Sequence, residues 1–361
     1  MVRHLYVHIP FCPKVCPYCS FYKEATDRNK TQGFLEALLT EAEIFQGRLR
    51  PETVFFGGGT PTALSTPQLQ FLLGGLRERV DFSAVKEFTI EMNPATVSLE
   101  KASALLDLGV NRVSMGIQSW DDRLLKTLGR VHSAAQARRS YGILREAGVK
   151  NINLDLIFGI PGQSVADWRG SLLRTIELEP DHISAYCLTY EEDTEYFERF
   201  TRGEYAPEEG RDADFFEMAM DLLPAAGFGQ YEISNYSRPG RECFHNLAYW
   251  QGAEYVGLGP SAFSTCSGVR RRNIANTSEY IRRIENGLER HDFEELVPEA
   301  LRHSEITAFA LRTKFGISTA AADPQIVGAL ESNGLIETSS GRLTLTRKGK
   351  LVADAVAAEL L

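Results

Sequence analysis

Leu5-Tyr6-Val7-His8-Ile9-Pro10-Phe11-Cys12-Pro13-Lys14-Val15-Cys16-Pro17-Tyr18-Cys19 begins as an apolar run of strand length and ends in a loop carrying three thiols. Thiolates at this spacing can wrap three corners of a cubane iron–sulfur cluster. Such clusters ordinarily take four cysteines, so a trio leaves one iron open to another ligand. Two other readings stand beside it. A structural zinc site would want a fourth Cys or His near a second pair, and a disulfide framework is poorly served by an odd trio.

Working outward, the chain alternates strand-like runs with amphipathic helices. Phe34, Leu35, Leu38, Leu39, Ala42 and Phe45 recur at helical spacing up to Leu49, with Pro51 as the exit. The strand Thr53-Val54-Phe55-Phe56 is halted by Gly57-Gly58-Gly59-Thr60-Pro61, and a helix over about 66–80 leads to the strand 87–91, stopped at Asn93-Pro94. Ser98 caps a helix ending at Gly109, the strand 112–117 follows, and a helix over 133–147 stops at Gly148. The strand 152–158 runs into Gly159-Ile160-Pro161-Gly162, and one more helix precedes a strand over 182–188. These βα units predict a parallel sheet with right-handed crossovers, either doubly wound or a full or partial barrel. In either fold the cysteines, Gly58, Glu91, Gln118 and Asp155 converge on one rim, because they lie at strand ends.

From about 191 to 280 the pattern loosens around Tyr231-Glu232-Ile233-Ser234-Asn235-Tyr236 and Cys243-Phe244-His245-Asn246-Leu247-Ala248-Tyr249-Trp250. The run Arg270-Arg271-Arg272 reads as a solvated loop. Beyond Pro298, helices over about 301–313 and 324–333 and a hairpin over 335–346, turning at Ser339-Ser340-Gly341, suggest a small winged-helix-like module.

At 361 residues and 43% hydrophobic, the chain can bury one large core and a smaller one. No apolar run reaches membrane-spanning length. No secretory leader is legible, and six cysteines without paired spacing suit the cytoplasm. A net charge of −9 argues against a general phosphate-backbone binder, so no nucleic-acid partner is expected and the C-terminal module reads as a packing or partner surface.

Cys12-x-x-x-Cys16-x-x-Cys19, with Tyr18 before the last cysteine and Gly57-Gly58-Gly59-Thr60-Pro61 after the second strand, resembles the radical S-adenosylmethionine (SAM) superfamily. Within it, the stretch from Tyr6 to Cys12, Glu91-Met92-Asn93-Pro94, the stretch 109–119, Leu128-Gly129-Arg130, Asn153-Leu154-Asp155 and Gly159-Ile160-Pro161-Gly162 are similar to the coproporphyrinogen-III-oxidase-like group. The resemblance implies an α/β fold: a partial (β/α)6 TIM-type barrel with a small C-terminal helical domain. It places the barrel and its extension over 1–285, with the core over about 1–230 and a heme-motif segment over 231–285, and the C-terminal domain over 290–361. It implies a [4Fe-4S] cluster on Cys12, Cys16 and Cys19. SAM would then be held by Tyr6, Tyr18, Gly58, Gly59, Thr60, Glu91, Gln118, Arg130 and Asp155. Chemically, Asp155 suits ribose hydroxyls and Glu91 an ammonium. The glycine run would let backbone approach the cofactor.

That group holds both an oxygen-independent oxidase of porphyrin biosynthesis and heme chaperones. Here the first strand begins near Met1, and Phe21 stands where the oxidases carry a fourth cysteine. His245-Asn246-Leu247-Ala248-Tyr249-Trp250 matches the HNxxYW motif associated with heme in the chaperones. His245 is then a candidate axial ligand, and Tyr249 and Trp250 are flat partners for a porphyrin. A hydrogen-bonded structural histidine is the competing reading of His245. Cys243 is a second axial candidate or a buried thiol, and Arg270 to Arg272 could pair with heme propionates. The expectation is a cytoplasmic heme chaperone delivering heme to acceptor hemoproteins, with membrane-bound respiratory proteins a candidate class. The alternatives are coproporphyrinogen III oxidation and radical modification of heme, so enzymatic status stays open at this point. Heme and SAM are expected in different places, since the heme motif lies about a hundred residues beyond Asp155 in sequence.

Overall fold

The computed structural model describes residues 1–361, the Arg28 side chain aside. Six parallel strands form its centre: β1 (Val2–Ile9), β2 (Leu49–Gly58), β3 (Glu87–Met92), β4 (Arg112–Gln118), β5 (Ile152–Phe158) and β6 (His182–Cys187). They pair in chain order as a partial barrel. Both open edges are extended by later segments. Val256–Leu258 adds in parallel outside β1, and Asn235–Ser237 adds antiparallel outside β6.

Side chains alternate across these strands, so one face of each is apolar and the other is not. Val7, Val54, Phe56, Ile90, Met115, Leu154 and Ile183 are fully buried beneath the surrounding helices, in a core that also takes Phe34, Leu38, Leu72 and Trp168. The opposite face carries His4, Tyr6, His8, Thr53, Phe55, Glu87, Glu91, Arg112, Ser114, Asn153, Asp155 and His182. A lumen lined this way is built for ligands more than for packing.

The first helix-to-strand boundary differs from its sequence reading. The helix ends at Glu43 and β2 already runs from Leu49 through Pro51. The β1–β2 register slips between Val2 and His4, and β2 meets β3 only from Thr53 onward. Pro51 therefore sits where no neighbour requires its missing N–H, which is how a proline is tolerated inside a strand.

A fully buried carboxylate fastens the later segment to the first helix. Glu41 accepts hydrogen bonds from Asn273 and Arg290, each 2.8 Å to Oε1, and from the Gly259 N–H at 2.8 Å and the Tyr280 hydroxyl at Oε2. The arginine run is a strand, Val269–Asn273, between Phe263–Cys266 and His291–Leu296. Arg270 pairs with Glu295 and Glu305, Arg271 with Glu294 and Arg272 with Asp292. The loop reading is thus corrected: an all-arginine stretch shows no alternation, yet acids across the sheet neutralise it.

Residues beyond 298 form the helices Glu299–Leu311 and Pro324–Ser332, the hairpin Ile336–Ser339 and Arg342–Leu345, and the closing helix Ala353–Leu360. Leu311, Ile317, Leu330, Ile336, Leu343 and Val356 make their own small core. The hairpin turns through Ser340 and Gly341, both at positive φ (52° and 76°), the geometry of a two-residue I′ turn.

Candidate functional site

The cysteine loop leaves β1 through a short strand, Phe11–Cys12, which pairs with Glu24–Ala25. The glycine loop after β2 clasps it from the side, the Gly59 N–H donating to Ile9 O and the Thr60 N–H to Phe11 O, both at 2.8 Å. This close approach explains the glycines. A Cβ on Gly59 would lie 2.6 Å from the Pro10 carbonyl oxygen, and one on Gly58 would lie 2.6–2.8 Å from the His8 ring. Gly58 also takes φ +106°, open to glycine alone at low cost. The Cβ side of Gly58 is thus taken by the His8 ring, while Gly58 itself also borders the cavity described next.

Cys12 Sγ lies 3.6 Å from Thr60 Oγ1, and Arg130 reaches Cys16 Sγ at 3.6 Å while donating to Gly116 O at 2.9 Å. Burial pushes the Cys12 thiol up to about 11 and raises Cys19. Iron must therefore displace protons to bind, as thiolate ligands require. Among the described residues no three metal-ligating side chains are drawn around one point; a cubane asks for none, since each of its irons takes its own thiolate. The three thiols and the adjacent guanidinium fit such a cluster, and Cys12, Cys16 and Cys19 would hold it.

Below this loop lies a cavity of about 430 Å³, lined among others by Tyr18, Gly58, Gly59, Thr60, Glu91, Gln118, Arg130 and Asp155. Those are eight of the nine residues carried over for SAM. Asp155 accepts from Ser114 Oγ at 3.0 Å and from Asn153 Nδ2 at 2.8 Å, which fixes its carboxylate. Glu91 accepts the Gly58 N–H at 3.2 Å. Burial, with the Asp155 charge beside it, pushes Glu91 up to about 8. Gln118 sits at φ +69°, uncommon for a residue with a Cβ, so the strand end is held out of relaxed geometry where it meets the cavity.

Tyr6 is the exception. Its hydroxyl bonds His8 Nδ1 at 3.0 Å, and it lines a neighbouring cavity of about 560 Å³. His245, Tyr249 and Trp250 line this second space too, with His4, Phe55, Tyr186, Tyr255 and Phe263. His245 is not a surface ligand: its Nδ1 lies 2.8 Å from Thr53 Oγ1, its ring is 5.2 Å from that of Phe55, and burial lowers it to about 3. It is held from below, where the buried Glu87 accepts the N–H groups of Phe244 and His245 at 2.8 and 3.0 Å. Cys243 is fully buried and its thiol points to Glu87, so it is a buried thiol and no axial candidate. Each of the Arg270–Arg272 guanidiniums is already paired with an acid, Arg270 through both terminal nitrogens and Arg271 and Arg272 through Nε.

Ser20, Phe21, Phe55, Gly58, Glu91, Tyr186 and Asn246 border both cavities. The heme-motif residues and eight of the nine SAM residues thus line two adjoining cavities that share a wall. Residues 231–250 return along the open seam and put the heme motif in the same lumen as the SAM residues. His4, His8, Phe55 and Tyr186 escaped the sequence reading although the signal was present: His4-x-Tyr6-x-His8 is a period-two stripe in what reads as an apolar run.

Comparison with known proteins fixes the class. Residues 6–174 match the Radical SAM superfamily, whose members imply a [4Fe-4S] cluster and SAM. The fold is shared with coproporphyrinogen III oxidase (HemN) from Escherichia coli at a TM-score of 0.87 and 24% identity, covering 99% of this chain and 90% of that one. Heme chaperone HemW of Bacillus subtilis is 34% identical over 98% of both chains. HemW of Mycobacterium tuberculosis H37Rv is 36% identical over 99% of this chain and 94% of its own, and that of Escherichia coli 41% over 72% and 68%. The chain belongs to the HemW family of the radical SAM superfamily. No helix among the described residues is long and apolar enough to cross a membrane.

Proposed function

We propose that this protein is a heme chaperone: it binds heme in the lumen beside its cluster and SAM sites and passes it to acceptor hemoproteins, membrane-bound respiratory proteins among the candidates. The observation that carries the reading is the 560 Å³ cavity in which His245, Tyr249 and Trp250 meet Phe55, Tyr255 and Phe263. Flat apolar walls suit a porphyrin, and imidazole suits its iron. In this reading Cys12, Cys16 and Cys19 hold the cluster, which when bound offers SAM an open iron. Glu91 and Asp155 orient SAM, and Gly58, Gly59, Thr60, Tyr18, Gln118 and Arg130 enclose it. All six cysteines are free thiols, the state that a reducing cytoplasm maintains.

The test uses the anaerobically reconstituted full chain with SAM and reductant, given heme or coproporphyrinogen III in parallel. Stoichiometric heme uptake, release to an apo-hemoprotein and an unchanged coproporphyrinogen III pool are expected. Formation of protoporphyrinogen IX would instead establish the oxidase, and the lumen would then be a substrate chamber. Cys12→Ala, Cys16→Ala and Cys19→Ala are each expected to abolish iron uptake, and Cys187→Ala and Cys266→Ala to leave it intact.

A further inference from the structure

Thr53 stands on β2 between two imidazoles. Its Oγ1 lies 2.9 Å from His4 Nδ1 and 2.8 Å from His245 Nδ1, and the two rings meet edge to face at 6.3 Å. Both histidines line the larger lumen cavity. A threonine hydroxyl carries one proton, so it can donate to only one of these nitrogens. The other imidazole must donate its own Nδ1–H to Thr53. A neutral ring protonated at Nδ1 has a bare electron pair on Nε2, the form that ligates a metal, and a hydrogen bond from the second nitrogen is what selects that tautomer. At least one Nε2 pair is therefore always available. Because both rings turn Nδ1 toward the same oxygen, each keeps its Nε2 on the side of the ring away from Thr53. The ring that receives the Thr53 proton carries its own on Nε2, so the other ring is the ligand at that moment.

We propose that His4 is a second axial imidazole, alternative to His245, and that Thr53 is the positioning residue that keeps one of the two in the ligating tautomer. The inference rests on the heme reading above and deepens it, giving the lumen two seats for one iron. Moving the iron from one ring to the other balances as a relay: the departing ring passes its Nδ1–H to Thr53 and takes a proton from water at Nε2, while the incoming ring takes the Thr53 proton at Nδ1 and gives its Nε2–H to water. Tight single-point ligation would not offer that route.

The experiment is ferrous-heme resonance Raman, where the iron–imidazole stretch reports both the bond and the hydrogen bond behind it, on full-length reconstituted protein. His4→Ala and His245→Ala should each retain the stretch, and the double variant should lose it. Thr53→Val, close to isosteric, should shift the stretch and weaken heme binding by about tenfold or more, and Thr53→Ser should restore both. A stretch lost in His245→Ala alone, or kept in the double variant, overturns the pair while leaving the heme reading standing. A wild type that takes up no heme overturns the heme reading and the ligand role of His4 together. Nitrogen-15 spectra of the heme-free protein address the tautomer separately: two Nε2–H rings at His4 and His245 would sink the Thr53 argument whatever heme does.

Discussion

Glu91 is the residue whose charge state should change most on binding. Burial beside Asp155 holds it near pH 8 when no cation faces it, with Arg112 and the Gly58 N–H only partly offsetting this. An unfolded glutamate titrates near 4.5, so the folded chain keeps a proton that the unfolded chain loses. Stability of the cofactor-free protein should thus fall as pH rises from about 4.5 to 8 and level off above. An ammonium placed against the carboxylate restores its ionised form. SAM binding at pH 7 should then release up to one proton, seen as a buffer-dependent calorimetric enthalpy, and Glu91→Gln should remove that dependence. Gly58 makes a different case. Since its Cβ space belongs to the His8 ring and its φ is +106°, Gly58→Ala should lower folding stability by roughly 1–3 kcal/mol. Iron and SAM occupancy should drop together, whereas a loss of SAM alone would return Gly58 to a purely ligand-facing role. The strand-end polar residues were legible because α/β folds gather their chemistry there. The occupant of the Gly58 space was not, because it comes from a strand far away in sequence.

At the scale of elements, regular alternation was easy to read and its absence was misleading. The barrel strands and the C-terminal hairpin fall within a few residues of their sequence readings, because apolar period-two faces and turn residues mark them. Val269–Asn273 carries no such mark, since three arginines hide a strand whose partners, Glu294, Glu295 and Asp292, come some twenty residues later. The pairs differ in expected weight. Arg270 holds Glu305 by two hydrogen bonds, of 3.0 and 2.6 Å, in a half-buried setting, so Arg270→Ala should cost about 1 kcal/mol in thermal unfolding, and Arg271→Ala less. Neither should alter heme affinity. A clear drop in that affinity would bring the propionate reading back.

The whole molecule is held closed by contacts between its ends of sequence. Glu41 binds donors from residues 259–290 to the first helix, and the Gly259 N–H, the Tyr280 hydroxyl, Arg290 Nε and one N–H of Asn273 all lose this acceptor if it goes. Glu41→Ala should therefore destabilise the fold by roughly 3–5 kcal/mol in urea unfolding, and an effect below about 1 kcal/mol would mean that the seam is held elsewhere. Long-range closure of this kind leaves no periodic trace, which is why residues around the heme motif read as a loose tail and not as a barrel wall.

Seven residues border both cavities, so ligands filling the two spaces lean on the same side chains. Binding free energies that share a wall cannot be independent, and thermodynamic linkage makes their interaction reciprocal. Whatever factor saturating SAM imposes on the heme dissociation constant, saturating heme must impose on that of SAM. Titrations in both orders should give one factor, different from unity. In a carrier of this design, the cofactor's presence would set the grip on the cargo, and occupancy of the cargo site would in turn report on the cofactor.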